Sequence, residues 1–297
     1  MTPSKPTDDL TDLHRFETPD EAFQYVRYTG LQKDAEIDLG DAALALALLF
    51  LPGVKPDRYR NHLKKLGDQM AEEFQSRLRL KEADTLALRV ATLKKVMHET
   101  NNYAGDTENY DDIQNANIIR AIERRKGLPV TLGILYIIAA RRAGWDIEGL
   151  NFPGHFLVRM SLGGERIILD PYKGGQEMNA AELRQLLKSI AGKGAELSHN
   201  FYDPVTSRDM LIRLQNNLKK RLIESEEYAQ AIIVVEAMEA LAPDEYRTLF
   251  DKGVLYAKLG QNKQAQAALE RYIEKTPRQQ EKQQAQMILQ QILTNPD

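Results

Sequence analysis

Apolar positions along this chain follow two different patterns, and the change between them outlines the fold. Over most of the length they recur at intervals of three and four residues, the spacing that gathers one face of an α-helix. Between residues 151 and 172 they form two short runs instead, Phe156-Leu-Val158 and Ile167-Ile-Leu169, separated by Gly163-Gly164. Apolar runs around a Gly-Gly pair predict a β-hairpin, because the favoured two-residue turns need positive φ. With those glycines as the loop, Leu162 faces Glu165, Val158 faces Leu169, Leu157 faces Asp170 and His155 faces Tyr172. Alternation then puts His155, Leu157 and Arg159 on one side with Ile168 and Asp170.

The helical signals run on both sides of this hairpin. Residues 1–15 are polar, carry Pro3 and Pro6, and are expected to be loosely ordered. Thr18 precedes Pro19 and two acidic residues, a helix start with a capping hydroxyl and a proline where no N–H is needed. Helical patterns cover 39–50, break at Pro52-Gly53, and resume over 57–80 and 82–99. The loop 101–112 is rich in Asn, Asp, Gly and Tyr. Pro129 opens and Gly144 closes a segment that is apolar nearly all round, with Arg141 and Arg142 at its carboxyl end, where cations oppose the helix dipole. That predicts a buried helix, too short to span a bilayer. A further helix is expected over 180–190, capped by Asn179, and Gly192-Lys-Gly194 with Asp203-Pro204 marks a boundary.

Beyond the boundary the texture is helical throughout and repeats. Pro243 and Pro277 are 34 residues apart, as are Ala231 and Ala265, and Leu222 and Tyr256. A 34-residue period of paired helices is the tetratricopeptide pattern. Leu249, Gly253, Tyr256, Gly260, Ala265, Leu269 and Pro277 suit its second unit; the first has Lys219 where a small residue is expected. Residues 279–293 would close the array, polar on the outside. Two units rarely stand alone, so the tail is expected to dock on the preceding core.

His155 and Asp170 are the candidate chemistry. In the predicted register they are diagonal neighbours, with backbones roughly 7–8 Å apart, within reach of an imidazole–carboxylate hydrogen bond. Such a carboxylate fixes the tautomer of a histidine base. The same spacing also fits a half-buried strand histidine beside an ordinary Asp-Pro turn.

Three segments carry a family likeness: Arg125-Lys-Gly-Leu-Pro-Val-Thr-Leu132, Asn151-Phe-Pro-Gly-His-Phe-Leu-Val158, and Leu169-Asp-Pro-Tyr172 with Gly174-Gly175 following. In order and spacing they resemble the transglutaminase-like superfamily, related to papain-type cysteine proteases, and within it the SirB-one-type bacterial family, which adds tetratricopeptide-like helices. The resemblance implies an α+β fold: a mostly helical, transglutaminase/papain-like core with a small antiparallel sheet, spanning 16–200, then a helical repeat tail with a capping helix over 205–297. It also places His155 and Asp170 on the superfamily's base and orienting acid. The cysteine nucleophile of that pattern falls on Pro129, or on Thr131 with a shift of two. Thr131 is thus the one hydroxyl able to substitute, although a threonine there commonly just bonds helix backbone. Gln114 is a candidate oxyanion donor, or simply an exposed loop residue.

Composition narrows this further. None of the 297 residues is cysteine, which excludes thiol catalysis, disulfides and thiolate metal sites. Forty basic against forty-three acidic residues leaves a net charge of −3, no general field for nucleic acid or membrane. The basic runs Arg124-Arg-Lys126 and Lys219-Lys-Arg221 read as solvated helix faces. The five histidines are dispersed, and His155 with Asp170 lacks a third ligand, so neither metal nor cofactor is expected. No signal-peptide pattern opens the chain, and the expected location is cytoplasmic.

These readings converge on a non-catalytic regulatory or accessory factor that binds a protein or peptide through its degenerate site and repeat tail, with no nucleic-acid or membrane partner. The competing reading is a hydrolase or acyl transferase acting on amide or ester bonds. There His155 is the base, Asp170 orients it, and Thr131 or water attacks. A third is a structural scaffold in which His155 only packs.

Overall fold

The computed structural model describes residues 16–294; the loose order expected of 1–15 concerns residues outside that range. Six helices precede the sheet: α1 (Pro19–Leu31), α2 (Leu39–Leu48), α3 (Asp57–Arg79), α4 (Leu86–Lys94), α5 (Ile118–Arg124) and α6 (Pro129–Arg142). Helix α7 (Ala180–Ala191) covers the sheet. The tail is α8 (Ser207–Glu224), α9 (Tyr228–Leu241), α10 (Arg247–Lys258), α11 (Asn262–Lys275) and α12 (Gln279–Thr294).

Local chemistry explains most of the boundaries. Thr18 accepts the Glu21 N–H and the Glu21 carboxylate accepts the Thr18 N–H, a reciprocal cap at the start of α1. Asn179 and Glu182 do the same for α7. Helix α4 starts later than the periodicity indicated, at Leu86, because the Thr85 hydroxyl caps it by accepting the Leu88 N–H. Its continuation, Lys95–Thr100, widens into a π-turn.

The strands are β1 (Ala104–Gly105), β2 (Lys126–Gly127), β3 (Asp146–Leu150), β4 (Val158–Leu162), β5 (Glu165–Asp170), β6 (Gln176–Glu177) and β7 (Pro204–Val205). Strands β3 to β7 form one antiparallel sheet in the order β6-β5-β4-β3-β7. The β4–β5 ladder runs from Val158 opposite Leu169 to Leu162 opposite Glu165, with φ of +57° at Gly163 and +90° at Gly164. That is the register read from the sequence, and it holds because only glycine adopts both turn conformations without strain. The loop 101–112 is less irregular than its composition implied: β1 lies parallel to β2.

Each sheet face has its own cover. Ile147, Val158, Met160 and Leu169 join α6 in the main core, while Leu150 and Leu157 pack with Met178, Leu183 and Leu187 beneath α7. Helix α6 is buried on nearly every side, as its composition required.

The main core does not stop at residue 205. It runs on through Met210, Leu214, Leu218 and Leu222 of α8 and Val234, Val235 and Met238 of α9. Helices α10 to α12 enclose a smaller cluster around Leu249, Leu269 and Tyr272. Gly253 permits the close approach there, since a Cβ would lie 2.6 Å from Leu269 Cγ. Lys219, out of place in a repeat, forms an ion pair with Asp251 of α10. The outer face of α12 is not wholly polar: Met287 is 61% and Leu293 56% exposed.

Helix α1 packs on α9, so closely that a Cβ on Gly30 would sit 1.9 Å from the Ala240 carbonyl oxygen. Arg208 seals this contact by donating to the carbonyls of Gln32 and Leu241, at the carboxyl ends of both helices. Among the described residues, no helix is long and apolar enough to cross a membrane.

Candidate functional site

The site forms where the sheet ends against α6 and α8. The histidine does not open β4, as the sequence pattern implied. The strand begins at Val158, and His155 lies in a bend following Gly154, whose φ is +66°. The carbonyl that would have faced Tyr172 across the hairpin is taken by Arg213 of α8, whose Nη2 donates to His155 O at 2.6 Å and Phe152 O at 2.9 Å. The Tyr172 N–H turns instead to Asp170 Oδ1, at 3.0 Å.

The side chains still meet. His155 Nε2 lies 2.9 Å from Asp170 Oδ1, so the ring N–H donates to the carboxylate. Asp170 is fully buried, and its second oxygen, Oδ2, has no partner among the described residues. The His155 side chain keeps 11% of its exposure. Because Nε2 carries the donated proton, the lone pair of the neutral ring is on Nδ1, and no hydrogen bond among the described residues engages it. Tyr136, from α6, is buried, and its hydroxyl has no hydrogen-bond partner among the described residues. Burial first, and the Asp170 charge second, push its phenol well above the usual range.

Aromatic rings frame the pair. The His155 ring stands edge-on to Tyr172 with centroids 6.1 Å apart, and Tyr172 edge-on to Tyr110 at 5.8 Å. Tyr172 is anchored by its hydroxyl, which donates to Asp106 O at 2.7 Å. Its ring lies flush on Gly105, where a Cβ would come within 2.4 Å. The Arg221 guanidinium of α8 lies 5.5 Å from the Tyr110 ring centroid. The same side chain donates to Tyr110 O at 3.2 Å and Asp111 Oδ1 at 3.3 Å.

The other candidates sit differently. Thr131 is fully buried in the first turn of α6 and donates its hydroxyl to Asn115 O at 2.7 Å. Pro129, ahead of it, is buried as well. Gln114 is exposed, bonds Asp112, and lines a cavity of about 170 Å³ with Phe50, Leu51 and Leu218. Thus the structure joins His155 to Asp170 and commits Thr131 and Gln114 to other partners.

The basic runs are solvated only in part: the Lys220 side chain is 71% exposed, but the arginines are engaged by the protein. Arg221 is 5% exposed, and Arg124 pairs with Asp106 at 2.8 Å and Asp112 at 3.2 Å. Arg125 Nη1 reaches the Tyr103 hydroxyl at 2.5 Å and His62 Nε2 at 2.7 Å. Burial, reinforced by the Arg125 charge, pushes His62 down to about 4, and burial lifts Tyr103 to about 12. A charge run shows which residues are basic but not what faces them; here the loop 101–112 brings Asp106 and Asp112 to Arg124 of α5, and the Tyr110 carbonyl and Asp111 to Arg221 of α8. Arg213 was not singled out from sequence. Its only signal was the ridge Arg213, Asn217, Arg221 at intervals of four on α8.

Residues 57–216 match the transglutaminase-like superfamily, and residues 218–292 match the tetratricopeptide repeat. The chain belongs to the transglutaminase-like superfamily. A UPF0162 protein of Xylella fastidiosa is 28% identical over 237 residues, covering 79% of this chain and 84% of that relative. A UPF0162 protein of Vibrio cholerae is 30% identical over 176 residues, covering 59% and 65%. Protein SirB1 of Salmonella typhimurium is 27% identical over 159 residues, covering 53% and 59%. The superfamily membership and the repeat tail agree with the expectation drawn from the three motifs. In this transglutaminase-like protein an oriented imidazole whose Nδ1 has no partner among the described residues can accept a proton or a hydrogen bond, and a chain without cysteine supplies no thiol to attack.

Proposed function

We propose that this transglutaminase-like protein is a non-catalytic, protein- or peptide-binding accessory factor. On this reading the repeat tail provides the docking surface, and the His155–Asp170 pair receives a polar group of the bound segment. The observation that carries the reading is the state of the α6 front: the chain holds no thiol, and the Thr131 hydroxyl is buried and already donates to the Asn115 carbonyl. A hydroxyl so placed lacks both access and an adjacent base. The tetratricopeptide match supports a capacity for protein interaction.

The test is capture of partners from a bacterial lysate by the full chain and by a chain ending at Asp244, which removes the separate α10–α12 cluster. Partners retained only by the full chain support the reading; retention of every partner by the shortened chain, with its remaining fold intact by circular dichroism, defeats it.

One observation favours a second reading, a hydrolase in which water attacks an amide or ester: the Nδ1 lone pair of His155 has no partner among the described residues. Turnover of peptides and acyl esters that falls by about 10²-fold or more in His155→Ala would support it, given the usual contribution of a general base. Absence of turnover, or turnover unchanged in that variant, retires it.

A further inference from the structure

The first helix of the repeat tail touches the site at two places, and neither contact is needed to hold α8 in the core. Its apolar ridge, Met210, Leu214, Leu218 and Leu222, already does that. Arg213 and Arg221 lie about two turns apart on another side of the helix. Asn217 links them, donating to Arg213 O at 2.9 Å and accepting from Arg221 Nη1 on its own carbonyl at 3.1 Å. Arg213 holds the backbone of the bend, bonding the carbonyls on both sides of Gly154 while its guanidinium lies 5.4 Å from the Phe156 ring centroid. Arg221 holds the facing loop, and through it the ring row Tyr110, Tyr172, His155.

The imidazole is therefore bracketed from one helix, by its own carbonyl on one side and by rings packed edge-on upon one another on the other. We infer that α8 is the positioning element of the His155–Asp170 pair and that Arg213 is its positioning residue. The bend has no ladder hydrogen bond from the His155 carbonyl to define it, and Gly154 permits many backbone conformations. A half-buried guanidinium with two carbonyl acceptors removes that freedom. The cost is desolvation, which pulls the Arg213 pKa below its usual value.

A consequence is that the repeats are joined to the site through a shared helix: α8 spans the end of the superfamily match and the start of the repeat match, and carries α9 on its other side. The inference concerns how the pair is held and is read on the isolated protein, so it stands or falls apart from the binding reading.

The experiment measures solvent exchange of ring N–H protons by NMR in the full chain with ¹⁵N-labelled histidine, the His155 signal being assigned by its loss in His155→Gln. Arg213→Met keeps the reach of the side chain and removes its donors; Arg213→Lys keeps the charge and can serve only one carbonyl well. Exchange of the His155 Nε2 proton should quicken by about 10-fold in Arg213→Met, the scale expected for losing a charged hydrogen bond, and by less in Arg213→Lys. His62 and His98, whose rings are hydrogen-bonded elsewhere, should keep their rates. An unchanged His155 rate in folded Arg213→Met overturns the inference, as does a rise shared equally by all three rings. If Arg213→Met does not fold, Arg213→Lys decides alone: a His155 rate equal to that of the parent protein overturns it.

Discussion

Gly133→Ala is the most direct probe of how the buried helix shapes the site. Gly133 sits in the second turn of α6, and a Cβ there would lie 2.4 Å from both Phe156 Cδ1 and Cε1. Carbon atoms pack at about 3.5–4.0 Å, so the ring must retreat by roughly 1.1–1.6 Å. It has little room to do so. Phe156 is 1% exposed, its far end already lies 2.5 Å from where a Cβ on Gly149 would be, and Arg213 covers its face. Overpacking of this kind costs about 1–3 kcal/mol. Replacing a mid-helix glycine by alanine returns about 1 kcal/mol. The net expectation is destabilisation of about 1 kcal/mol, small enough that the variant folds. Because Phe156 follows His155 directly, the retreat also draws the imidazole away from Asp170. Urea unfolding reads the first effect, and the His155 ring N–H resonance reads the second. Should Gly133→Ala be more stable than the parent by about 1 kcal/mol, the value helix propensity alone gives, with the His155 resonance unmoved, the packing argument is wrong.

Thr131→Val removes one donated hydrogen bond at nearly constant volume and should cost about 1 kcal/mol of stability while leaving partner binding and any turnover unchanged; Thr131→Ser should restore most of it. Function lost at unchanged stability would instead assign the hydroxyl a chemical role. Arg208→Met strips the carboxyl ends of α1 and α9 of a shared donor and should lower the unfolding free energy by about 2 kcal/mol or more, since bonds to a charged donor are the strong ones; a change below about 0.5 kcal/mol, the size of an ordinary surface substitution, would contradict the role given to it. His62 is held down at about 4 in the fold, chiefly by burial, against the usual 6.5 of a free imidazole. The unfolded state therefore binds the proton more readily, and stability present above pH 6.5 declines as pH falls from 6.5 towards 4. The slope is at most about 1.4 kcal/mol per pH unit, reduced by the water that reaches this half-buried ring. His62→Gln should flatten that part of the stability–pH curve, and an identical curve in the variant refutes the assignment.

The hairpin was legible because its information is local. Two adjacent glycines define the turn, side-chain alternation defines the faces, and the His155–Asp170 contact follows within one strand length. The 34-residue spacing of small residues was legible for a similar reason, since Gly253 must admit Leu269 at a fixed offset. What escaped was set by distant chain. The bend at His155 depends on Arg213, 58 residues away, and the burial of Arg221 on a loop 110 residues before it. The late start of α4 was missed for a different reason: Thr85 can cap or continue a helix, and charged residues before it match either pattern.

The seam between α1 and α9 bears on how the chain is made. Arg208 bonds the Gly30 carbonyl across 178 residues of sequence and the Leu241 carbonyl 33 residues further on. Helix α1 thus keeps an uncovered side until α9 has followed it off the ribosome, and synthesis proceeds at about 5–20 residues per second. For those many seconds the nascent protein carries a sticky flank that nothing of its own can cover. Chains cut short within α9 should keep that flank for good, and chaperone association during translation should end only once α9 emerges.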